Sequence, residues 1–325
     1  MPTSTSWPDN SGITPEMITV IAGGVGAARL LRALSSVADP ADISAIVNVG
    51  DDLELGGLHI SPDLDTVTYT LAGAIDPERG WGLIDESWRA MEALDRFGGP
   101  TWFSLGDRDL GTHLYRTQRM KEGAALSTVT AEIASAWGLR HHLMPVTDDH
   151  LRTMVTIVDE GEIPFQEYFV GRQHSVPVAA VRFDGAEGAS PAPGVVESIA
   201  SADLVVIAPS NPIVSIAPVL AVPGVRDAIA ARRPDVVAVS PIVGGAALKG
   251  PADRMLRELG HDASALGVAR LLVDLVGTFV IDTVDDALAA DVESLGLRCV
   301  VTDTIMRDPA VSTALAATIM GAVLR

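Results

Sequence analysis

Asp51, Asp52, Glu54, Asp63 and Asp65 crowd five carboxylates into one short stretch. Like charges this close repel unless a cation joins them. Magnesium (Mg2+) takes a few carboxylates together with waters and phosphate oxygens, so this stretch is the place to seek it. The bland alternative makes Asp63 a helix cap and leaves the others, Glu54 above all, as solvated loop. A second set lies in Leu105-Gly106-Asp107-Arg108-Asp109-Leu110-Gly111-Thr112-His113, with Arg116 a helical turn beyond His113. Asp107, Asp109 and His113 there can orient a hydroxyl acceptor, and the fork of Arg108, between two acids, can clamp phosphate oxygens. Surface ion pairing and a structural histidine are the competing explanations. The turn Gly23-Gly24-Val25-Gly26 opens a helix and offers backbone N–H groups to an anion. It is not a full dinucleotide fingerprint, because Arg29 stands where the third glycine belongs. Short polar groups recur in Pro209-Ser210-Asn211-Pro212, followed by Ser215, and in Ser240-Pro241-Ile242-Val243-Gly244-Gly245, leading to Lys249. Two such loops suit the two ends of a nucleotide, although turn chemistry alone also explains either.

The elements that must position these residues follow from periodicity. Ile18 to Ala22 and Ile43 to Val49 read as strands, each running into one of the loops above. Ser61-Pro62-Asp63 announces a helix through Val67 and Leu71. Apolar spacing at Trp88, Met91 and Leu94, and at Leu126, Val129, Ile133 and Trp137, predicts two more. Leu151 to Val170 reads as two extended runs around the turn Asp159-Glu160-Gly161-Glu162. Buried-type strands return at Leu204 to Ala208, Val236 to Ser240, Thr278 to Ile281 and Arg298 to Thr302. Strands alternating with helices predict an α/β fold with a mostly parallel sheet covered on both faces. Ligands bind beyond the carboxyl ends of such strands, where the unusual residues fall.

Composition narrows the partners. The chain has 325 residues, 48% hydrophobic and 20% charged, and a formal net charge of −19. That charge repels a polyphosphate backbone, so nucleic acid is not expected. No apolar tract reaches the roughly 20 residues of a membrane span, so no membrane association is expected and the location is read as cytoplasmic. The single cysteine, Cys299, excludes an intramolecular disulfide and reads as a core residue. Residues 1–17, rich in Ser, Thr and Pro, read as a disordered tail, and 18–325 as one catalytic domain with a small α+β cap inserted at about 120–200.

Taken together, Ala22-Gly23-Gly24-Val25-Gly26, Asn48-Val49-Gly50-Asp51-Asp52, Ile60-Ser61-Pro62-Asp63-Leu64-Asp65-Thr66-Val67, Leu105-Gly106-Asp107-Arg108-Asp109, Thr112-His113 and Pro209-Ser210-Asn211-Pro212 resemble, in order and spacing, the 2-phospho-L-lactate transferase family of coenzyme F-420 biosynthesis. The resemblance implies a Rossmann-like, doubly wound core and a magnesium-dependent reaction. In that reaction the ribityl hydroxyl of the deazaflavin Fo takes a phosphoenolpyruvyl or 2-phospho-L-lactyl group from a guanosine diphosphate ester. GMP leaves, and (dehydro) coenzyme F-420-0 forms. Carried over, Asp51, Asp52 and Asp65 hold the metal, with Asp63 and Thr66 beside them, and Asp65 accepts the proton. Asp107, Arg108, Asp109 and His113 line the acceptor and transfer site. Ser210, Asn211 and Ser215 hold the nucleotide, with Gly23, Gly24, Gly26 and Gly244 assigned to substrate. A homodimer and coupling to the guanylyltransferase that makes the donor are further expectations. The alternatives are a nucleotide-sugar-binding regulator of related fold and an NAD(P)-dependent oxidoreductase. The doubled Asp51-Asp52 and the Leu105 to His113 segment argue against a simple binder, and Arg29 against the oxidoreductase.

Overall fold

The structure is a computed structural model that describes residues 15–322. The expected tail therefore lies outside the described residues except for its last three, of which Glu16 and Met17 donate backbone N–H groups to Asp203.

A run of β-branched residues with no polar alternation belongs in a strand buried on both faces. β1 (Ile18–Ala22) is such a run and is buried throughout. It lies inside a seven-stranded sheet with β2 (Ile43–Val47) on one side, and β5 (His142–Pro145) beyond that. On the other side come β9 (Leu204–Ile207), β10 (Val236–Val239), β13 (Thr278–Asp282) and β14 (Arg298–Thr302). Every pairing is parallel; Ile18 stands beside Ile43 on one flank and Leu204 on the other. Helices cover the sheet, giving the doubly wound α/β arrangement. α1 (Gly24–Leu34) packs on α2 (Pro62–Leu71) and on the helix Pro309–Gly321. The second strand stops at Val47, two residues short of the expected end, because Asn48 and Gly50 turn the chain there.

Smaller units hang on this sheet. The hairpin of β3 (Leu53–Leu55) and β4 (Leu58–Ile60) directly follows Asp52. Leu53, Leu55, Ile60 and Leu105 form their own apolar cluster with Met91, Phe103 and Leu110. That cluster seats α3 (Arg89–Arg96) and the start of α4 (Asp109–Lys121). The span of about 120–200 holds two kinds of structure. α5 (Leu126–Ala136) packs on β5 of the central sheet, whereas β6 (Arg152–Ile157), β7 (Gly161–Pro164) and β8 (Val178–Asp184) form a separate antiparallel sheet. A further hairpin, β11 (Ile242–Val243) with β12 (Ala246–Ala247), turns through Gly244 and Gly245. Among the described residues, no single helix is long and apolar enough to cross a membrane.

Candidate functional site

The chain builds outward from β1 to β2 and β5, then returns to lay β9 on the opposite side of β1. A crevice opens beyond the carboxyl ends of the strands where the order reverses, and this is where α/β sheets bind ligands. The loops after β1, β2 and β9 meet there. Gly26 must be glycine, since a Cβ would lie 2.3 Å from the carbonyl oxygen of Pro209. A Cβ on Gly23 would fall 2.7 Å from that of Ser215 and 3.1 Å from Asp63 Oδ2. Ser210 Oγ donates to the Gly23 carbonyl at 2.7 Å, and Asn211 Oδ1 accepts from Ile213 N at 2.9 Å. The first turn of α1 carries no acid of its own, but Asp63 from α2 reaches it and accepts from the Gly24 N–H.

The acids expected as one cluster divide in two. Residues two apart on a helix point to nearly opposite sides, so Asp63 and Asp65 in the first turn of α2 face different neighbours. Asp63 faces the glycine turn and accepts from Asn48 Nδ2 at 3.0 Å. Asn48 Oδ1 in turn accepts from Gly50 N at 2.8 Å and so shapes the approach to Asp51. Asp52 Oδ2 accepts from Ser61 Oγ at 2.7 Å and lies 3.0 Å from His59 Nε2. Asp51 Oδ1 and Asp52 Oδ1 are buried with no partner. Burial, together with the facing Asp63 carboxylate, pushes Asp51 well above the usual carboxylate range. Burial, reinforced by Asp52, raises Asp63 to about 7 even though Asn48 and the Gly24 N–H oppose it. Unpaired buried oxygens and acids that resist ionisation are compatible with a cation here.

The other half is already neutralised. Arg116 on α4 is buried, with Nη1 donating to Asp65 Oδ2 at 3.2 Å and Nη2 donating to Oδ1. Its Nη1 lies 3.3 Å from His113 Nδ1, which is also 3.7 Å from Asp65 Oδ2, and His113 Nε2 lies 3.3 Å from Asp109 Oδ2. Tyr69 Oη donates to Asp109 Oδ1 at 2.5 Å and accepts from Thr112 Oγ1 at 2.8 Å. Burial works to raise Asp109, but the His113 imidazole and the Tyr69 hydroxyl leave it below its ordinary value. Burial raises Asp65, and Arg116 opposes it. Asp65, Asp109 and His113 bring donor atoms within 4.8 Å of one another, a grouping compatible with a metal ion.

Arg108 stands differently from expectation. It precedes α4, is exposed, and donates through Nη1 to the Ile84 carbonyl rather than being held by its two flanking acids. Asp107 caps α3 instead: its carboxylate accepts from Ser87 Oγ at 2.5 Å, Arg89 N at 3.1 Å and Ala90 N at 3.0 Å. The favour is returned by Glu86, which accepts from Arg108 N at 2.8 Å and Asp109 N at 2.9 Å at the start of α4. The two carboxylates form a reciprocal clasp, and Gly106 leaves room for Glu86, whose carboxyl carbon lies 2.1 Å from where a Cβ would be. The Gly244 N–H is taken by the Asp285 carboxylate, 3.1 Å and 3.2 Å from its two oxygens. Thr66 is half-buried beside Asp65, and Glu54 is exposed on β3. Asn48, His59, Tyr69, Glu86 and Arg116 belong to the site's framework although sequence reasoning gave them no role. For Arg116 a signal existed: Asp109, His113 and Arg116 recur at helical spacing and so share one face of α4.

Residues 18–318 match the family described as 2-phospho-L-lactate transferase CofD. A phosphoenolpyruvate transferase from Streptomyces griseus is 47% identical over 304 residues, covering 92% of this chain and 96% of that protein. The phosphoenolpyruvate transferase of Mycobacterium avium is 42% identical over 320 residues, covering 90% and 94%. Among solved structures, a Bacillus halodurans protein described as a member of the UPF0052 family superposes with a TM-score of 0.62 at 17% identity, covering 94% of this chain and 99% of that one; the likeness is one of fold. The chain belongs to the 2-phospho-L-lactate transferase family, and it is a transferase rather than an oxidoreductase or a regulatory binder.

Proposed function

We propose that this transferase moves a phosphoenolpyruvyl group from a guanosine diphosphate ester to the ribityl hydroxyl of Fo, releasing GMP and forming dehydro coenzyme F-420-0. The names of its curated relatives favour the enolpyruvyl donor over 2-phospho-L-lactyl. The observation that carries the chemistry is the pair of unpaired buried oxygens on Asp51 and Asp52, at the crevice edge where the glycine turn opens α1. Asp51 and Asp52 would hold Mg2+ through those oxygens, and a bound Mg2+ there neutralises phosphate charge.

The chain's own residues do the rest. The turn Gly23–Gly26 and the loop Ser210, Asn211 and Ser215 pack on each other and hold the donor's nucleotide at the strand ends. Asp63 takes the proton-accepting role expected of Asp65. Both Asp65 oxygens are engaged by Arg116, whereas Asp63 lies against the glycine turn on the crevice side, where its ionised carboxylate can accept the proton. His59 and Ser61 hold one oxygen of Asp52 and so aim the other. His113 and Asp109 back the site from α4. The reading includes a homodimer, a cytoplasmic location and supply of the donor by a guanylyltransferase.

Incubating the protein with Fo, the phosphoenolpyruvyl guanosine diphosphate ester and Mg2+ tests it. GMP and the phosphodiester product should appear together and vanish with a chelator. Product formed equally well without divalent metal, or none with either donor, would refute it.

A further inference from the structure

Asp65, Asp109 and His113 are two carboxylates and an imidazole with donor atoms within 4.8 Å of one another, a donor set that suits divalent transition ions. His113 is buried, and its Nε2, although 3.3 Å from Asp109 Oδ2, has no aligned hydrogen bond. Such a set ordinarily calls for a metal. Here a guanidinium lies within it. Arg116, equally buried, spans both Asp65 oxygens, approaches His113 Nδ1 at 3.3 Å and reaches the His59 carbonyl at 3.5 Å. The Asp51–Asp52–Asp63 side has two orphaned oxygens, while the Asp65–Asp109 side has a resident positive charge.

We propose that Arg116 is a built-in cation that closes the Asp65–Asp109–His113 set to metal ions, confining divalent metal to the Asp51–Asp52 side and fixing Asp65 as a positioning residue. The guanidinium is permanently charged and forked, so it satisfies both oxygens of one carboxylate at fixed geometry. A metal ion in its place would compete for the same oxygens and meet the positive charge of Arg116. The pinned His59 adds a second consequence. Its carbonyl meets Arg116 and its N–H donates to Thr117 Oγ1 at 2.8 Å, so the same face of α4 steadies the histidine that holds Asp52. This part of the inference rests on the proposed function, whereas closure of the set does not.

Counting bound Mn2+ by electron paramagnetic resonance, with calorimetry alongside, tests the closure on the full chain without substrates. Arg116→Met keeps much of the side-chain volume and removes the charge. It should bind one more Mn2+ per chain than the wild type, and Arg116→Met/Asp109→Ala should lose that additional ion. Arg116→Lys, which keeps a cation, should match the wild-type count. A folded Arg116→Met protein with the wild-type count overturns the proposal. Should Arg116→Met not fold, Asp109→Asn and His113→Gln decide on the wild-type background: an unchanged count supports a closed set, and a lost ion overturns it. GMP release is measured separately, so failure of the ion count leaves the transferase reading standing, and the reverse holds as well.

Discussion

Metal binding at Asp51 and Asp52 should release protons, because burial holds Asp51 and Asp63 above the usual carboxylate range in the metal-free protein. Asp63, raised to about 7 from an ordinary 3.8, is the quantifiable member. At about pH 6 roughly nine-tenths of it carries a proton, and at about pH 8 roughly one-tenth does. A cation that needs Asp63 ionised should therefore bind roughly 10-fold more tightly at the higher pH, about 1.4 kcal/mol, and Asp51, also raised by burial, acts in the same sense. Magnesium calorimetry in two buffers of different ionisation heat reads the proton release directly. It should approach or exceed about one proton per ion near pH 6. Stability carries the same signature with a definite sign. A carboxyl whose folded pKa is raised contributes stability below its unfolded pKa and loses it as pH rises through the folded value. The melting temperature of the metal-free chain should thus fall between about pH 4 and pH 8, with an upper bound of ~4 kcal/mol from Asp63, and magnesium should recover more at the alkaline end. Glu132, drawn down to about 2 by Arg119, acts in the opposite sense only below its ordinary 4.5. His141, held below its ordinary 6.5 by burial, opposes the fall inside the window, so the difference from Asp63→Asn isolates the Asp63 part. Equal magnesium affinity at both pH values with no proton release, or a melting temperature that rises across this window, would refute the reasoning.

Other outcomes follow from single contacts. Gly26→Ala drives a Cβ to 2.3 Å from the Pro209 carbonyl and should cost about 2 kcal/mol or more in urea denaturation, while Gly111→Ala, with open space around it on α4, should gain about 0.5–1 kcal/mol. A wild-type-like Gly26→Ala would mean the two loops do not pack as described. Ser210→Ala deletes the hydrogen bond to the Gly23 carbonyl and should lower stability by about 1 kcal/mol. By calorimetry it should also weaken GDP more than Fo; equal weakening would place the loop elsewhere in the site. Arg108→Lys should change kcat by less than about 10-fold, because the guanidinium rests on the Ile84 carbonyl at the surface; a larger fall at unchanged Fo affinity would show that it turns onto the phosphate during the reaction.

What could be read from the sequence, and what could not, divides by distance along the chain. β1, β9, β10 and β13 were legible because a wholly buried parallel strand must be apolar at every position, and their order with intervening helices dictates loops that meet at one edge. The carboxylates were legible as chemistry but not as geometry. Asp63 and Asp65 look like one cluster in a linear reading, yet helical phase sends one toward Asn48 and the other toward Arg116. The same phase separates the two arginines. Arg108 lies between acids in the sequence but before the helix, whereas Arg116 shares a face with Asp109 and His113. No local pattern announces the clasp of Glu86 with Asp107, since each caps a helix that begins beside the other. Charge balance joins these observations. Within a chain of net charge −19, the crevice brings an arginine to the acids on one side and leaves Asp51 and Asp52 with unanswered oxygens on the other. A protein that needed only to stabilise its acids would have neutralised both sides. Leaving one open costs folding stability at neutral pH, and under the proposed function a cation arriving with a phosphate would offset that cost.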